Sequence, residues 1–88
     1  MNLNKSAKAF EANGIKVIEL SYRESADGNT KELICKFEIN GKEDSHAVTF
    51  SEKLAENFDR CQDIFVARTI EYIKNYDAII KGFEKDER

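Results

Sequence analysis

Proline and tryptophan are absent from this 88-residue chain, which carries only two cysteines, one histidine and four glycines. Each shortage removes a class of scaffold or chemistry. Cys35 and Cys61 are too few for a disulfide framework and lack metal-ligand spacing. They read as two small buried apolar residues, with a single bridge between them as the other arrangement open to them. Cys35 falls on an inward strand parity and Cys61 on an apolar helical register. Burial raises a thiol pKa, so both are expected to be inert. Gly14, Gly28, Gly41 and Gly82 stand alone, and no glycine-rich loop cradles a phosphate. A catalytic histidine needs a nucleophile or an orienting acid beside it. Asp44 and Ser45 precede His46, yet sequence neighbours on a strand or turn point apart. The expectation is a protein without catalytic residues, cofactor or metal.

Positive charge and long apolar runs are equally scarce. A net charge of −3 and a pI near 5.2 argue against direct, sequence-independent nucleic-acid binding, which needs clustered Lys and Arg. Mild acidity suits a basic protein partner instead. No stretch reaches the ~18 apolar residues of a membrane helix. Met1 to Phe10 carries Lys5 and Lys8 without the apolar run of a signal peptide, so a cytoplasmic location is expected. The 41% hydrophobic content, with six phenylalanines, suffices for one core, and residues 1–88 read as a single domain.

Along the chain, Leu3, Ala7 and Phe10 recur at helical spacing. Asn2 or Asn4 is available as N-cap, and Asn13-Gly14 as the stop. Ile15 to Arg23 is β-branched and aromatic, with an alternation that slips at Val17–Ile18; a β-bulge there, or a strand buried on both faces, accounts for the slip. Ser25 to Asn29 is a turn cluster. In Thr30 to Ile39 the residues Leu33, Cys35, Phe37 and Ile39 share one parity. Asn40-Gly41 then signals a two-residue hairpin. A third strand is expected over about Ser45 to Phe50, with His46, Val48 and Phe50 on one face.

Ser51 to Phe83 organises the rest. Thr49-Phe50-Ser51-Glu52 has the form of a capping box, with Ser51 an equal candidate for the cap. Leu54, Phe58, Cys61 and Phe65 form one apolar register; Phe65, Thr69, Tyr72, Tyr76, Ile79 and Phe83 form another; Val66, Ile70, Ile73 and Ile80 lie beside it. One helix of that length would run ~50 Å, so a break near Asp59–Asp63 is expected, with Asp63 capping a second helix that ends at Lys81-Gly82. The resulting class is α+β: an N-terminal helix, a three-stranded antiparallel meander, and two C-terminal helices packed on the sheet.

Two features of this stretch suggest partner binding. Glu52, Glu56, Asp59 and Asp63 step by helical intervals, placing four carboxylates on one helix face; loop residues Glu43 and Asp44 would extend the line. Such a row either imitates a phosphate backbone toward Arg and Lys on a partner or is a solvated face diluted by Lys53 and Arg60. Tyr72 and Tyr76, with Ile79 and Phe83 on the same stripe, form a core edge or an interface, including that of a homodimer.

The element order over residues 2–62 resembles that of double-stranded-RNA-binding domains. That likeness implies a lysine cluster at the start of the last helix, where this chain reads Ser51-Glu52-Lys53-Leu54-Ala55-Glu56. The short, acidic build and whole-chain element order are also similar to small phage-encoded anti-CRISPR inhibitors, with the acidic row as the residue-level support. This second resemblance implies a non-enzymatic inhibitor acting in the host-cell cytoplasm. Its partner would be a host protein or ribonucleoprotein complex, blocked at a nucleic-acid-binding or nuclease site. The competing readings are a nucleic-acid-binding regulator and a structural dimerisation module.

Overall fold

The computed structural model describes residues 2–86, with side chains described for residues 2–76. The chain runs α1 (Asn4–Ala12), β1 (Lys16–Glu24), β2 (Thr30–Ile39), β3 (Lys42–Ser51), α2 (Glu52–Ala55) and α3 (Phe58–Asp86). The three strands form one antiparallel sheet in the order β1-β2-β3, with helices on one side, which is the α+β layout expected.

Helix α1 stops as its sequence dictates. Gly14 takes φ +72°, its N–H reaches the Glu11 carbonyl at 3.0 Å, and the Ile15 N–H reaches Phe10 at 3.0 Å. This double bond pattern closes a helix through a left-handed residue that glycine adopts without Cβ strain. The start differs from expectation. Leu3 holds the N-cap position and its side chain makes no capping bond; Asn2 Oδ1 accepts only the Asn4 N–H, at 3.3 Å.

The β1–β2 register shifts between Val17 and Glu19, so Ile18 is the extra residue of a bulge where the alternation slips. Asn40 (φ 52°) and Gly41 (φ 80°) form the tight hairpin, pairing Ile39 with Lys42. Two consecutive positive φ values match the twist of the flanking strands. The third strand therefore starts at Lys42, directly after the turn, and not near Ser45.

The sheet's helix side is made by Leu33, Cys35 and Phe37 of β2 with Val48 and Phe50 of β3. These are buried with Phe10, Ala55, Cys61 and Phe65 in one cluster. Phe10 meets Phe65 edge-on at 5.7 Å, fixing α1 against α3. Ile64, Val66, Ile70, Tyr72 and Ile73 are partly buried around that cluster, so the wide apolar arc of α3 spans the sheet. The opposite sheet face is solvated, as an antiparallel sheet with one covered side permits.

The helical region departs from expectation in four places. Thr49 stays in β3 opposite Glu32, and Ser51 precedes α2 without a side-chain capping bond. The break falls at Glu56–Asn57, before Asp59: Asn57 Oδ1 accepts the Arg60 N–H at 3.1 Å, the bond pattern of an N-cap, so Asp59 and Asp63 lie inside α3. Leu54, on the short α2, is 39% exposed instead of core. Finally α3 continues through Gly82 to Asp86. Its 29 residues span about 43 Å, compared with about 34 Å for a ten-residue strand.

Candidate functional site

The chain enters the acidic segment through a sharp corner. Glu52 adopts φ +58°, and its N–H is held by the Asn29 carbonyl at 2.9 Å. This bond ties α2 to the β1–β2 turn, where Asp27 accepts from Ser25 Oγ (2.6 Å) and the Asn29 N–H (3.0 Å). Those bonds, Ser25's first, hold the Asp27 carboxyl below its ordinary range. Beneath the corner, Lys31 is 5% exposed and donates from Nζ to the Ala55 carbonyl at 2.7 Å, satisfying a carbonyl at the end of α2.

The structure divides the expected acidic row. Glu52 opens α2, Glu56 is its C-cap, and Asp59 and Asp63 belong to α3, so the four carboxylates do not share one helix face. Asp63 is paired with Lys5 of α1 at 2.7 Å. Glu52, Glu56 and Asp59 are exposed and make no ion pair among the described residues. Glu43 and Asp44 do not extend the row: both lie in β3 at the far end of the sheet, Glu43 3.7 Å from Lys36.

At that far end, α3 runs antiparallel to β3 and forms a polar-aromatic cluster. Tyr72 donates its hydroxyl to Asp44 Oδ2 at 3.0 Å. The His46 ring stacks on Tyr72 with centroids 4.7 Å apart and planes 22° apart, and His46 Nδ1 lies 3.1 Å from Thr69 Oγ1. Tyr76 continues the stack at 6.3 Å from Tyr72, whose ring also meets Phe37 edge-on at 6.3 Å. Burial, then the positive charge of Arg68, pull the His46 pKa down against the opposing pull of Asp44. The Asp44 bond holds the Tyr72 hydroxyl pKa up.

Asp44 takes the Tyr72 hydroxyl and not the imidazole, and Thr69 is fully buried. These contacts attach α3 to β3. Sequence reasoning considered Asp44 and His46 as near neighbours. The overlooked signal is their two-residue spacing, which puts both on one strand face. Thr69 and Tyr72, three apart on α3, meet them there. Tyr72 and Tyr76 are both half-buried. Ile79 and Phe83 lie outside the residues whose side chains are described.

Both cysteines are buried and free, so the single-bridge arrangement does not occur. Burial pushes the Cys35 thiol up to about 11, and burial also raises that of Cys61, whose Sγ donates to the Leu54 carbonyl at 3.1 Å. Among the described residues no helix is long and apolar enough to cross a membrane. No family model, curated protein or solved structure matches the chain.

Proposed function

We propose that this chain is a small, non-enzymatic binding protein that presents its acidic end to a basic surface of a partner protein or ribonucleoprotein complex. The observation that carries this reading is the exposure of Glu52, Glu56 and Asp59 without ion-pair partners among the described residues. They stand at the corner where the β1–β2 turn, with its ionised Asp27, is bonded to α2. Carboxylates already neutralised at home add little across an interface, whereas unpaired ones steer and orient a cationic partner. The resemblance to anti-CRISPR inhibitors extends the proposal to a host defence complex whose nucleic-acid-binding or nuclease surface would be blocked.

The test is a Glu56→Lys, Asp59→Lys double variant. Both residues are exposed, so folding should change by no more than ~0.5 kcal/mol per site. A tagged wild-type chain should retain a partner from a bacterial lysate, release it as salt rises, and lose it in the double variant. Capture that is indifferent to the charge reversal and to salt overturns the reading. Tighter binding of the variant to duplex RNA, with no protein capture lost, favours the RNA-binding alternative.

A further inference from the structure

Strand β1 is an edge of the sheet, and two of the three large hydrophobic residues left exposed among the described residues, Ile18 (42%) and Tyr22 (38%), belong to it. The other edge strand, β3, is joined to α3 across the helix-side face through His46–Thr69 and Asp44–Tyr72. An uncovered edge with exposed apolar residues is a template for another strand. Glu19 and Arg23 are also exposed on β1 and make no ion pair among the described residues, while Lys16, near its start, is taken by Glu38 at 2.8 Å.

We propose that the occupant of this edge is a second copy of the chain. Two β1 strands pair antiparallel about a two-fold axis through Ser21, joining two three-stranded sheets into one continuous sheet. The register follows from the segment Glu19-Leu20-Ser21-Tyr22-Arg23, which is complementary to its own reverse. Centred on Ser21, Glu19 faces the partner's Arg23, Leu20 faces the partner's Tyr22, and symmetry repeats both contacts. The charged pair lies on the solvated sheet face, where Glu19, Ser21 and Arg23 share an open hollow of about 520 Å³ with Ile34, Lys36 and Ser45. The apolar pair lies on the helix side, where Tyr22 already sits 5.6 Å from the Phe58 ring.

Shifting the axis to Tyr22 sets Leu20 against the partner's Glu24. Shifting it to Leu20 needs Lys16, already bound to Glu38, and runs the ladder through the Ile18 bulge. Of these registers, only the Ser21 one joins opposite charges that make no ion pair among the described residues and apolar residues that match. Opposite charges directly across a strand pair stabilise it and like charges oppose it.

Sedimentation velocity and light scattering on the intact chain test the proposal. The wild type should show a species of twice the 10.1 kDa chain mass in a concentration-dependent equilibrium. Glu19→Arg alone and Arg23→Glu alone each place two like-charged pairs in the interface and should weaken dimerisation about tenfold or more. The double variant Glu19→Arg, Arg23→Glu should recover most of that loss. Within one chain Glu19 faces Lys36 and Arg23 faces Glu32, so the double variant retains both new intrachain repulsions. Recovery can then arise only across the interface. Circular dichroism checks that each variant is folded. A wild type that stays monomeric throughout, a dimer indifferent to the single reversals, or a double variant as weak as the singles overturns the proposal. None of these outcomes bears on the acidic end, which is tested separately through Glu56 and Asp59.

Discussion

Gln62 provides a direct measure of how α1 is held. A helix leaves its first N–H groups without intrahelical acceptors, and a leucine at the N-cap position supplies none. Here the acceptor comes from another helix: Gln62 of α3, 3% exposed, takes the Ser6 N–H at 3.3 Å and the Ser6 hydroxyl at 2.7 Å through the same Oε1. Gln62→Leu removes that acceptor while keeping most of the side-chain volume. The serine hydroxyl can turn to a carbonyl of its own helix, but the backbone N–H cannot. The floor is therefore one buried donor without a partner, about 1–3 kcal/mol, and two stranded donors raise it to about 2–4 kcal/mol. That is a large share of the roughly 4–13 kcal/mol expected for a domain of this size. Ser6→Ala leaves the N–H bonded to Gln62 and should cost only about 1 kcal/mol. Urea denaturation followed by circular dichroism measures both, and the double variant completes a thermodynamic cycle. A Gln62→Leu loss below ~0.5 kcal/mol, or a Ser6→Ala loss equal to it, would refute the cross-helix cap.

Two further predictions concern the core and the His46 cluster. Phe37 is fully buried on the middle strand, on the sheet's helix side, so Phe37→Ala should cost about 3–5 kcal/mol in chemical denaturation, and a loss under ~1 kcal/mol would contradict its placement. The His46 pKa is lowered from 6.5 by burial and Arg68, so above pH 6.5 the imidazole is neutral in both folded and unfolded chains. As pH falls below 6.5 the unfolded chain takes up the proton first. The neutral-imidazole contribution is then lost down to the lowered folded pKa. The stability gap between wild type and His46→Gln should narrow over that window; an unchanged gap between neutral and mildly acid pH would refute the assignment.

Much of the backbone was legible in residue order because the decisive interactions are local. Gly14 ends α1 and Asn40-Gly41 turns the hairpin because glycine and asparagine tolerate positive φ. The slip at Val17–Ile18 was visible because alternation has a strict period of two, and the register shift decides for a bulge over a strand buried on both faces. The alternating Leu33, Cys35 and Phe37 likewise identified the buried face of β2. What sequence order misjudged was competition between alternatives of similar local merit. Thr49, Ser51, Asn57 and Asp63 all have capping side chains, and Asn57 prevailed because β3 pairs with β2 as far as Ser51. That pairing extends the strand, shortens α2 to Glu52–Ala55, and so splits the acidic row.

The candidate surfaces depended still more on tertiary structure. Carboxylates at helical spacing are visible in the chain. Their separation into Asp63 bound to Lys5 and Glu52, Glu56 and Asp59 left free follows from α1 docking beside α3. The Asp44–Tyr72 and His46–Thr69 contacts join residues 28 and 23 positions apart, and the Gln62 cap spans 56. No local preference encodes such pairs; they form only when burial of Phe10, Phe37 and Phe65 brings their helices and strands together. Residues Glu19 to Arg23 carry their self-complementary order in the chain itself, but only the strand order β1-β2-β3 puts that segment at an edge of the sheet.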